Sequence, residues 1–352
     1  MSRSLTPLPA RPAETHALAV AEALPGSRIV ATTVGRGQAA HALALARPEA
    51  TVASWFLDFY QQTDAIASWG ETPENLSVHC TPDMPPGPYD LAIIPLSKGG
   101  ETELARDILQ QALFQLAIGG SLVVAVNNAR DKWVREQLAA TGETVRVRPD
   151  PRGDTMAYVV EKTRELSKLR DFSCRFAFRD RDRLLTAITR PGVFAHRRID
   201  PGARRLLDAV DVAPDTKVLD IGCGCGCVAL GIAARDPSVT VYAYDSAARA
   251  VECTRLAAEI NGLANITVAL EAEGHVPDRG TWDLALANPP YYGDFSIAEK
   301  FVEAARLALV PGGTLLVVTK QPTWYVEELP RMWTNIAEEL VKGYHLIEAV
   351  RP

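Results

Sequence analysis

The strongest constraint in this sequence is an internal repeat. Residues 90–126 read "DLAIIPLSKGGETELARDILQQALFQLAIGGSLVVAV". They align without a gap with residues 283–319, "DLALANPPYYGDFSIAEKFVEAARLALVPGGTLLVVT", at a constant offset of 193. Upstream, "SRIVATTVGRG" (27–37) aligns with "TKVLDIGCGCG" (216–226) at an offset of 189. A chain that repeats itself over this length is built from two copies of one fold.

The pattern within each copy predicts the fold class. Short apolar runs alternate with amphipathic helical segments, which indicates βαβ units and a parallel sheet in each half. Each half also ends in two strand-like runs, which predict a terminal antiparallel hairpin. The sequence of 352 residues therefore predicts two tandem Rossmann-like α/β domains. We expect them at about 1–160 and 200–352, with the basic segment 161–199 as a linker.

The composition indicates the cellular compartment that suits such a chain. No run approaches the roughly 18 consecutive apolar residues of a membrane helix, and we identify no signal peptide. Six cysteines in 352 residues do not form a disulfide framework. We therefore expect a cytoplasmic protein in a reducing compartment, with no membrane partner.

The distribution of charge is more informative than its total of -6. From Lys162 to Arg205 the chain carries 13 Lys or Arg and 5 Asp or Glu, whereas the remainder carries 24 and 38. This asymmetry predicts a localised electropositive strip of the kind that contacts nucleic-acid phosphates. The alternative is an ordinary solvated face of the linker.

A glycine loop follows the first strand of the second copy. The stretch "DIGCGCGC" (220–227) begins within the short β run "KVLDIG" and is followed by the helical run "VALGIAARD". Its three glycines would allow a tight turn and a close approach of the backbone to a ligand. The next strand, "VTVYAYD", ends in Asp245, and an acid there can accept hydrogen bonds from ribose hydroxyls. The context of strand, glycine turn and helix indicates a nucleotide-type ligand.

The three cysteines of the same loop permit another interpretation, a metal or redox centre. Cys223, Cys225 and Cys227 supply three sulfurs, whereas a structural zinc site needs four ligands in a tetrahedral array. The other cysteines show no C-x-x-C spacing. We therefore expect no metal and assign the cysteines as small apolar residues that pack beneath the turn.

The second informative stretch is "LALANPPYYGD" (284–294), at the end of the predicted fourth strand of that half. The Asn288 side-chain oxygen and the Pro289 carbonyl can accept hydrogen bonds from a conjugated NH₂ group, which directs its lone pair and stabilises positive charge that develops on nitrogen. Pro290 stiffens that backbone, and Tyr291 offers a face on which a planar base stacks. No general base of unusual pKa is required.

Together these motifs resemble those of the S-adenosylmethionine-dependent methyltransferases. D-x-G-x-G-x-G resembles their motif I, and N-P-P-Y resembles the signature of members that act on planar amine or amide nitrogens. The preceding stretch, "TRPGVFAHRRIDPGARRLL" (189–207), is similar to that of the bacterial ribosomal RNA guanine-N2 methyltransferases of the small-subunit methyltransferase C type. That family has tandem class I methyltransferase domains, of which the N-terminal one is degenerate.

The resemblance implies S-adenosylmethionine as cofactor and ribosomal RNA or a ribosomal subunit as partner. It implies catalytic roles for Asn288, Pro289, Pro290 and Tyr291. It implies cofactor binding by Asp220, Gly222, Gly224, Gly226, Asp245, Glu273 and Asn288. It implies that closure over cofactor and base involves Pro191, Gly192, Val193, Phe194, Asp200 and Gly202.

The chain departs from the family at several positions. Ala195 replaces the usual Ser, Tyr291–Tyr292 replaces Phe-His, and "KQPTWY" (320–325) does not match the bacterial type well. The motif also serves adenine N6, cytosine N4 and glutamine N5, so these acceptors stay open, as does a non-catalytic RNA-binding role.

The N-terminal copy lacks the residues that carry the chemistry. Ala31 stands for Asp220, Thr33 for Gly222, Phe56 for Asp245, and 95–97 ("PLS") for 288–290 ("NPP"). We expect this half to have kept the fold and lost the site, and to serve as a scaffold or RNA-docking surface. A residual second cofactor site is the alternative.

Overall fold

The structure is a computed structural model that describes residues 9–166, 168–290 and 295–352. The chain divides into two compact units, Met1–Phe172 and Ser173–Pro352. Each unit contains one seven-stranded sheet with helices, which is the predicted pair of α/β folds.

The first unit alternates strands with helices and ends in a hairpin. Its elements are, in chain order, α1 (Pro12–Glu22), β1 (Arg28–Ala31), α2 (Gln38–Ala46), β2 (Thr51–Phe56), α3 (Phe59–Trp69), β3 (Leu76–Cys80), β4 (Tyr89–Leu96), α4 (Thr102–Gln115), β5 (Leu116–Val126), α5 (Trp133–Ala139), β6 (Val145–Pro149) and β7 (Met156–Glu161).

The sheet of the first unit has the strand order β3-β2-β1-β4-β5-β7-β6. The first five strands in this order are parallel, and β7 pairs antiparallel with both β5 and β6, as the terminal hairpin predicts. Along β1, Val30 faces one apolar layer and Ile29 and Ala31 face the other, because successive side chains of a strand point to opposite faces.

The second unit begins with an additional hairpin and then repeats the plan. Its elements are β8 (Cys174–Asp180), β9 (Arg183–Thr189), α6 (Pro201–Ala209), β10 (Lys217–Ile221), α7 (Cys227–Arg235), β11 (Thr240–Asp245), α8 (Ala248–Ile260), β12 (Ile266–Leu270), β13 (Trp282–Ala287), α9 (Ser296–Ala308), β14 (Leu309–Thr319), α10 (Thr323–Glu328), a 3-10 turn (Leu329–Arg331), β15 (Thr334–Val341) and β16 (Tyr344–Val350).

The sheet of the second unit has the order β12-β11-β10-β13-β14-β16-β15, the same as in the first unit. Its core also has two layers, with Val218 of β10 in one and Leu219 and Ile221 in the other. The order reverses between β10 and β13, so the carboxyl ends of β10, β11 and β13 meet at a topological switch point. Ligands of open α/β sheets bind at such points.

The basic segment 161–199 is not a continuous linker, because it contains the β8–β9 hairpin. The division between the units falls at residues 172 and 173, and the hairpin belongs to the second unit. Asp180 receives two hydrogen bonds from the Arg235 guanidinium of α7, at 2.8 and 3.0 Å. Asn261, at the end of α8, exchanges hydrogen bonds with the backbone of Thr186. These bonds fix the hairpin to α7 and α8.

No helix among the described residues is long and apolar enough to span a membrane.

The ion pair between Asp180 and Arg235 predicts a large and specific loss of stability. Both side chains are buried, with 5% and 8% of their surface exposed. Asp180→Asn leaves the guanidinium charge buried without its counterion. We expect this change to lower the free energy of unfolding of the second unit by about 3–5 kcal/mol, measured by urea denaturation.

The double variant Asp180→Leu/Arg235→Met serves as the control. It removes both charges, so it should regain most of the lost stability. A single variant that costs less than about 1 kcal/mol would show that the pair behaves as an exposed salt bridge.

Candidate functional site

The glycine loop of the second unit connects β10 to α7. Gly222, Gly224 and Gly226 all have positive φ, at 74°, 57° and 76°. This left-handed region is costly for residues with a Cβ, which explains why the sequence alternates glycine there. The amides of Gly222 and Cys223 both donate to the Tyr244 carbonyl, at 2.9 and 3.0 Å, and so attach the loop to β11.

At two of these glycines a side chain would also clash with neighbouring residues. A Cβ at Gly222 would lie 2.8 Å from the Phe301 ring, and one at Gly226 would lie 2.6 Å from Thr254. A Cβ at Gly224 would meet no atom within 4 Å. Gly224 is therefore the point of the loop where the backbone is open to a ligand.

Asp220, predicted to contact a cofactor, lies beneath the loop. Only 3% of the residue is exposed, and its Oδ2 accepts a hydrogen bond of 3.0 Å from the Ala229 amide in the first turn of α7. This amide has no partner within the helix, so Asp220 stabilises the start of α7. Burial raises the pKa of Asp220 to about 7. In this structure Asp220 positions the loop.

Asp245, the predicted ribose acid, ends β11 beside the loop and is half-buried. Its Oδ2 accepts from the Gly224 amide and its Oδ1 from the Ala247 amide, both at 2.8 Å. The carboxylate is thereby held at the open part of the loop, where it can accept hydrogen bonds from a ligand's hydroxyl groups.

Asn288 belongs to a hydrogen-bonded group of side chains that is well defined in the structure. Its Nδ2 donates to Asp200 Oδ2 at 2.8 Å, and the same oxygen accepts from the Ala203 amide at 3.0 Å as the N-cap of α6. A Cβ on Gly202 would lie 2.8 Å from Asp200 Oδ2 and 2.9 Å from Asn288 Oδ1, so a larger residue would displace this pair from its present geometry. The structure thus brings together Asn288, Asp200 and Gly202, which the sequence analysis placed in two separate groups.

The orientation of the Asn288 amide follows from this contact. A carboxylate only accepts hydrogen bonds, so Nδ2 must face Asp200. Oδ1 is then the end of the amide that is available to an incoming NH₂ donor. Pro289 follows as a buried residue and Pro290 is half-buried. Tyr291, predicted as the stacking residue, lies outside the described residues.

The predicted closure segment, residues 191–194, forms a turn before α6. Gly192 has a φ of 88°, Val193 is buried, and Phe194 is 66% exposed. The Pro191 carbonyl accepts a hydrogen bond of 2.8 Å from the buried Arg249 of α8. Val193 therefore anchors the turn, and Phe194 presents an aromatic ring to solvent.

Glu273, predicted near the cofactor adenine, is paired with Lys300 of α9 at 3.2 Å, and 42% of its side chain is exposed. Glu271, two residues earlier, contacts the end of β11, which carries Asp245. Glu271 directly follows β12, its amide donates to the Asp245 carbonyl at 3.1 Å, and 14% of its side chain is exposed. The sequence analysis missed Glu271, although its place at a strand end parallels that of Asp245.

The sequence analysis also missed two side chains that contact the glycine loop. The Thr254 hydroxyl of α8 donates to the Gly224 carbonyl at 3.0 Å, and Phe301 of α9 lies against Gly222. On the side of β14, Trp324 stacks on Phe295, with ring centroids 5.9 Å apart and planes 5° apart. Nothing in the spacing of these residues indicates their contacts.

The loop cysteines pack in the interior. Cys223, Cys225 and Cys227 are all buried, and Cys225 Sγ lies 3.5 Å from Cys227 Sγ. Burial raises the pKa of Cys223 well above its usual value, which disfavours the thiolate that a metal would require. Within the described parts of the chain, no group of three His, Cys, Asp or Glu is arranged to hold a metal ion.

The equivalent loop of the first unit is held differently. The Thr33 hydroxyl accepts from the Gly35 and Gly37 amides, at 2.8 and 2.9 Å, and donates to Glu14 of α1 at 2.9 Å. Glu14 also accepts from the Ala39 amide in the first turn of α2 at 3.1 Å, and burial raises its pKa. A carboxylate from another element therefore does for α2 what Asp220 does for α7.

Comparison with known proteins gives one family model and many relatives. The model described as the methyltransferase small domain matches residues 184–347. A ribosomal RNA small subunit methyltransferase C from Pseudomonas entomophila is 29% identical over 239 residues, which covers 67% of this chain and 71% of that protein. One from Pseudoalteromonas atlantica is 26% identical over 304 residues, with coverage of 83% and 86%.

A solved structure agrees with the whole architecture. The 16S rRNA N2 G1207 methyltransferase of Thermus thermophilus, in complex with AdoMet and guanosine, has a TM-score of 0.80 and 21% identity. The match covers 97% of this chain and 92% of that one. The predicted fold, with two tandem methyltransferase-like domains, is confirmed.

The buried Asp220 predicts a pH dependence of stability. Its pKa is about 7 in the folded protein and about 4 in an unfolded chain. Between these values the unfolded chain loses the proton that the folded protein keeps, so stability falls as pH rises from about 4 to 7. Asp220→Asn cannot ionise and keeps an acceptor for Ala229. We therefore expect the free energy of unfolding of Asp220→Asn, minus that of the native chain, to increase by on the order of a few kcal/mol as pH rises from about 4 to 7.

Urea denaturation of both proteins at several pH values measures this difference. Asp215→Asn, at an exposed position of the same unit with positive φ, is the matched control. A difference between Asp220→Asn and the native chain that is constant with pH would contradict the buried, protonated state of Asp220.

Proposed function

Because the chain belongs to the family of the ribosomal RNA small subunit methyltransferase C proteins, we propose that it transfers a methyl group from S-adenosylmethionine to the exocyclic N2 of a guanine in ribosomal RNA. The observation that carries this proposal is the fixed amide of Asn288. Asp200 holds its Nδ2 at 2.8 Å, which leaves Oδ1 as an acceptor at the carboxyl end of β13.

The chemistry of an exocyclic amine explains why such an acceptor is needed. The lone pair of guanine N2 is delocalised into the ring, so the free amine is a poor nucleophile. Asn288 Oδ1 and the Pro289 carbonyl would accept hydrogen bonds from its two N–H groups and direct the lone pair out of the ring plane. The same oxygens would stabilise the positive charge that develops on nitrogen until a proton leaves.

The residues around the glycine loop fit the proposed cofactor. The backbone at Gly224 is open, and the carboxylates of Asp245 and Glu271 lie at the ends of adjacent strands. These groups would accept hydrogen bonds from the ribose hydroxyls and the base of a nucleoside. When bound, S-adenosylmethionine supplies an electrophilic methyl group. Asp220, Thr254 and Phe301 would act indirectly by holding the loop.

The β8–β9 hairpin supports RNA as the substrate. Arg175 and Arg179 are four residues apart on β8, so they share one face of the strand, and both are exposed. Arg183 at the start of β9 is exposed as well. Such a surface would contact phosphates, which position an RNA without specifying its sequence.

Guanine N2 lies within the paired stack of a duplex, so the target must be unpaired or flipped out. Ribosomal RNA as substrate places this reaction in the cytoplasm.

The direct test identifies the product. Purified protein is incubated with methyl-labelled S-adenosylmethionine and, separately, with ribosomal RNA, small subunits and large subunits, and digested nucleosides are analysed by mass spectrometry. We expect labelled N2-methylguanosine. Asn288→Ala should lower turnover by about 100-fold or more and leave RNA binding intact. Label in N6-methyladenosine or in protein glutamine would overturn the proposed acceptor, and cofactor binding with no label would indicate a non-catalytic role.

The variant Asp200→Ser tests whether the acceptor must be oriented. Serine retains an N-cap for α6 but is too short to reach Asn288, so the fold should persist. We expect a fall in kcat of about tenfold to 100-fold with the KM for cofactor little changed. A kcat equal to that of the native chain would show that Asn288 is held by other contacts.

The hairpin arginines predict the dependence of RNA binding on salt. Each phosphate contact that is removed should lower the slope of log Kd against log salt concentration by about 0.7–0.9. Arg175→Ala/Arg179→Ala should therefore reduce the slope by about 1.5 and weaken binding of unrelated RNAs equally. Arg148→Ala, an exposed arginine of β6, is the control. An unchanged slope in the double variant would place the RNA elsewhere.

A further inference from the structure

The first unit contains a cavity of about 480 Å³ that the lost motifs do not explain. It opens at the carboxyl ends of β1, β2, β4 and β5, which is the position where an α/β sheet binds ligands. Its volume lies in the range of small-molecule sites. Its apolar and aromatic walls are formed by Val34, Trp55, Leu57, Leu96, Leu104, Ile108 and Trp133.

On the cofactor side of this crevice the loop amides are occupied by the protein's own groups, although residues 32–34 and 55–58 line the cavity. Thr33 occupies the Gly35 and Gly37 amides, and Glu14 lies 3.5 Å from where a Cβ of Gly35 would stand. Phe56, at the position of the ribose acid, is 2% exposed. The residues that follow β3 do not line the cavity. Asp58, two residues beyond Phe56, does line the cavity, but its Oδ1 accepts from the Gln61 amide as the N-cap of α3. A second molecule of S-adenosylmethionine would therefore find the loop amides occupied and the nearest carboxylate engaged in capping a helix.

The other side of the crevice is open as well. The cavity is lined by residues 95–102, at the end of β4 and after it, which correspond in the repeat to 288–295, and by residues at the end of β5 and after it. In the second unit this is the side of the Asn288 loop, where the target base would enter. The cavity of the first unit thus includes the half that would face a substrate, while the loop amides of the cofactor half are occupied.

The groups at the open side suit a planar, hydrogen-bonding ligand. The indole of Trp133 is half-buried and lines the cavity, with the Arg106 guanidinium 5.7 Å from its ring centre. Asp131 is held in place because its Oδ2 accepts from the Tyr158 hydroxyl at 3.0 Å and from the Val134 amide at 3.1 Å. Asn128 and Ser97 add neutral polar groups. An aromatic face beside fixed acceptors would stack a nucleobase and bind its N–H groups.

We propose that this cavity is a non-catalytic binding site for an unpaired base of the RNA substrate. The inference rests on the proposed function for the identity of the ligand as RNA. No methyl transfer takes place in this cavity, because Pro95–Ser97 provides no asparagine at the position of Asn288. The site would instead add affinity and select RNAs that expose a second unpaired base.

Photocrosslinking tests the site directly in the full-length chain. Single-stranded RNA oligonucleotides that contain 4-thiouridine or 6-thioguanosine are bound, irradiated, and digested, and crosslinked peptides are identified by mass spectrometry. We expect crosslinks within residues 95–105 or 126–134. Trp133→Ala should weaken RNA binding by about tenfold, the loss expected for one stacked base. Ala105→Phe fills the cavity without removing a wall and should weaken binding to a similar extent.

Phe114→Ala, an exposed aromatic of α4 that does not line the cavity, should bind RNA like the native chain. Crosslinks confined to the second unit, or native affinity in both cavity variants, would overturn the proposal. A second equivalent of S-adenosylmethionine that is lost in Ala105→Phe would overturn it in favour of a cofactor site. Crosslinks in the cavity without methylation of any RNA would instead uphold this site and refute the proposed activity.

Discussion

A buried acidic side chain beneath the glycine loop holds the first turn of the following helix in each unit. Asp220 supplies it to α7 from β10, and Glu14 supplies it to α2 from α1. The first amides of a helix have no partner within it, and leaving them buried and unpaired is costly. The path of the loop depends on this bond, and with it the position of the Gly224 backbone, which Asp245 and Thr254 contact.

The origin of that carboxylate explains how the two copies diverged. Because Glu14 comes from α1, position 31 of β1 can be alanine while α2 keeps its hydrogen bond. The same Glu14 bonds to Thr33, whose hydroxyl satisfies the loop glycines. The contacts that stabilise the first unit therefore also occupy the loop amides on its cofactor side. The same hydrogen bonds that keep the fold of this unit leave those amides without a free N–H for a ligand.

Features encoded in local period and spacing could be predicted from the sequence. The repeat offset of 193 reproduces both ends of β5 and β14, and the two terminal hairpins form where the strand-like runs indicate. Side-chain direction could not be predicted in this way. The expected contact of Asp220 and Glu273 with the cofactor stays a prediction, but the spacing did not indicate that Asp220 lies under the loop or that Glu273 pairs with Lys300. Such partners are brought together by tertiary packing, which spacing along the chain does not specify.

The link between Asp200 and Asn288 shows how folding and the proposed chemistry share one group. Asp200 caps α6, so its carboxylate is fixed when that helix forms, before any substrate arrives. Since a carboxylate cannot donate, the cap also decides which end of the Asn288 amide faces the crevice. Gly202 lies in the first turn of the same helix and leaves space for that amide. An acceptor oriented in this way need not reorganise when charge develops on the amine, and that is the condition under which hydrogen bonds contribute most to catalysis.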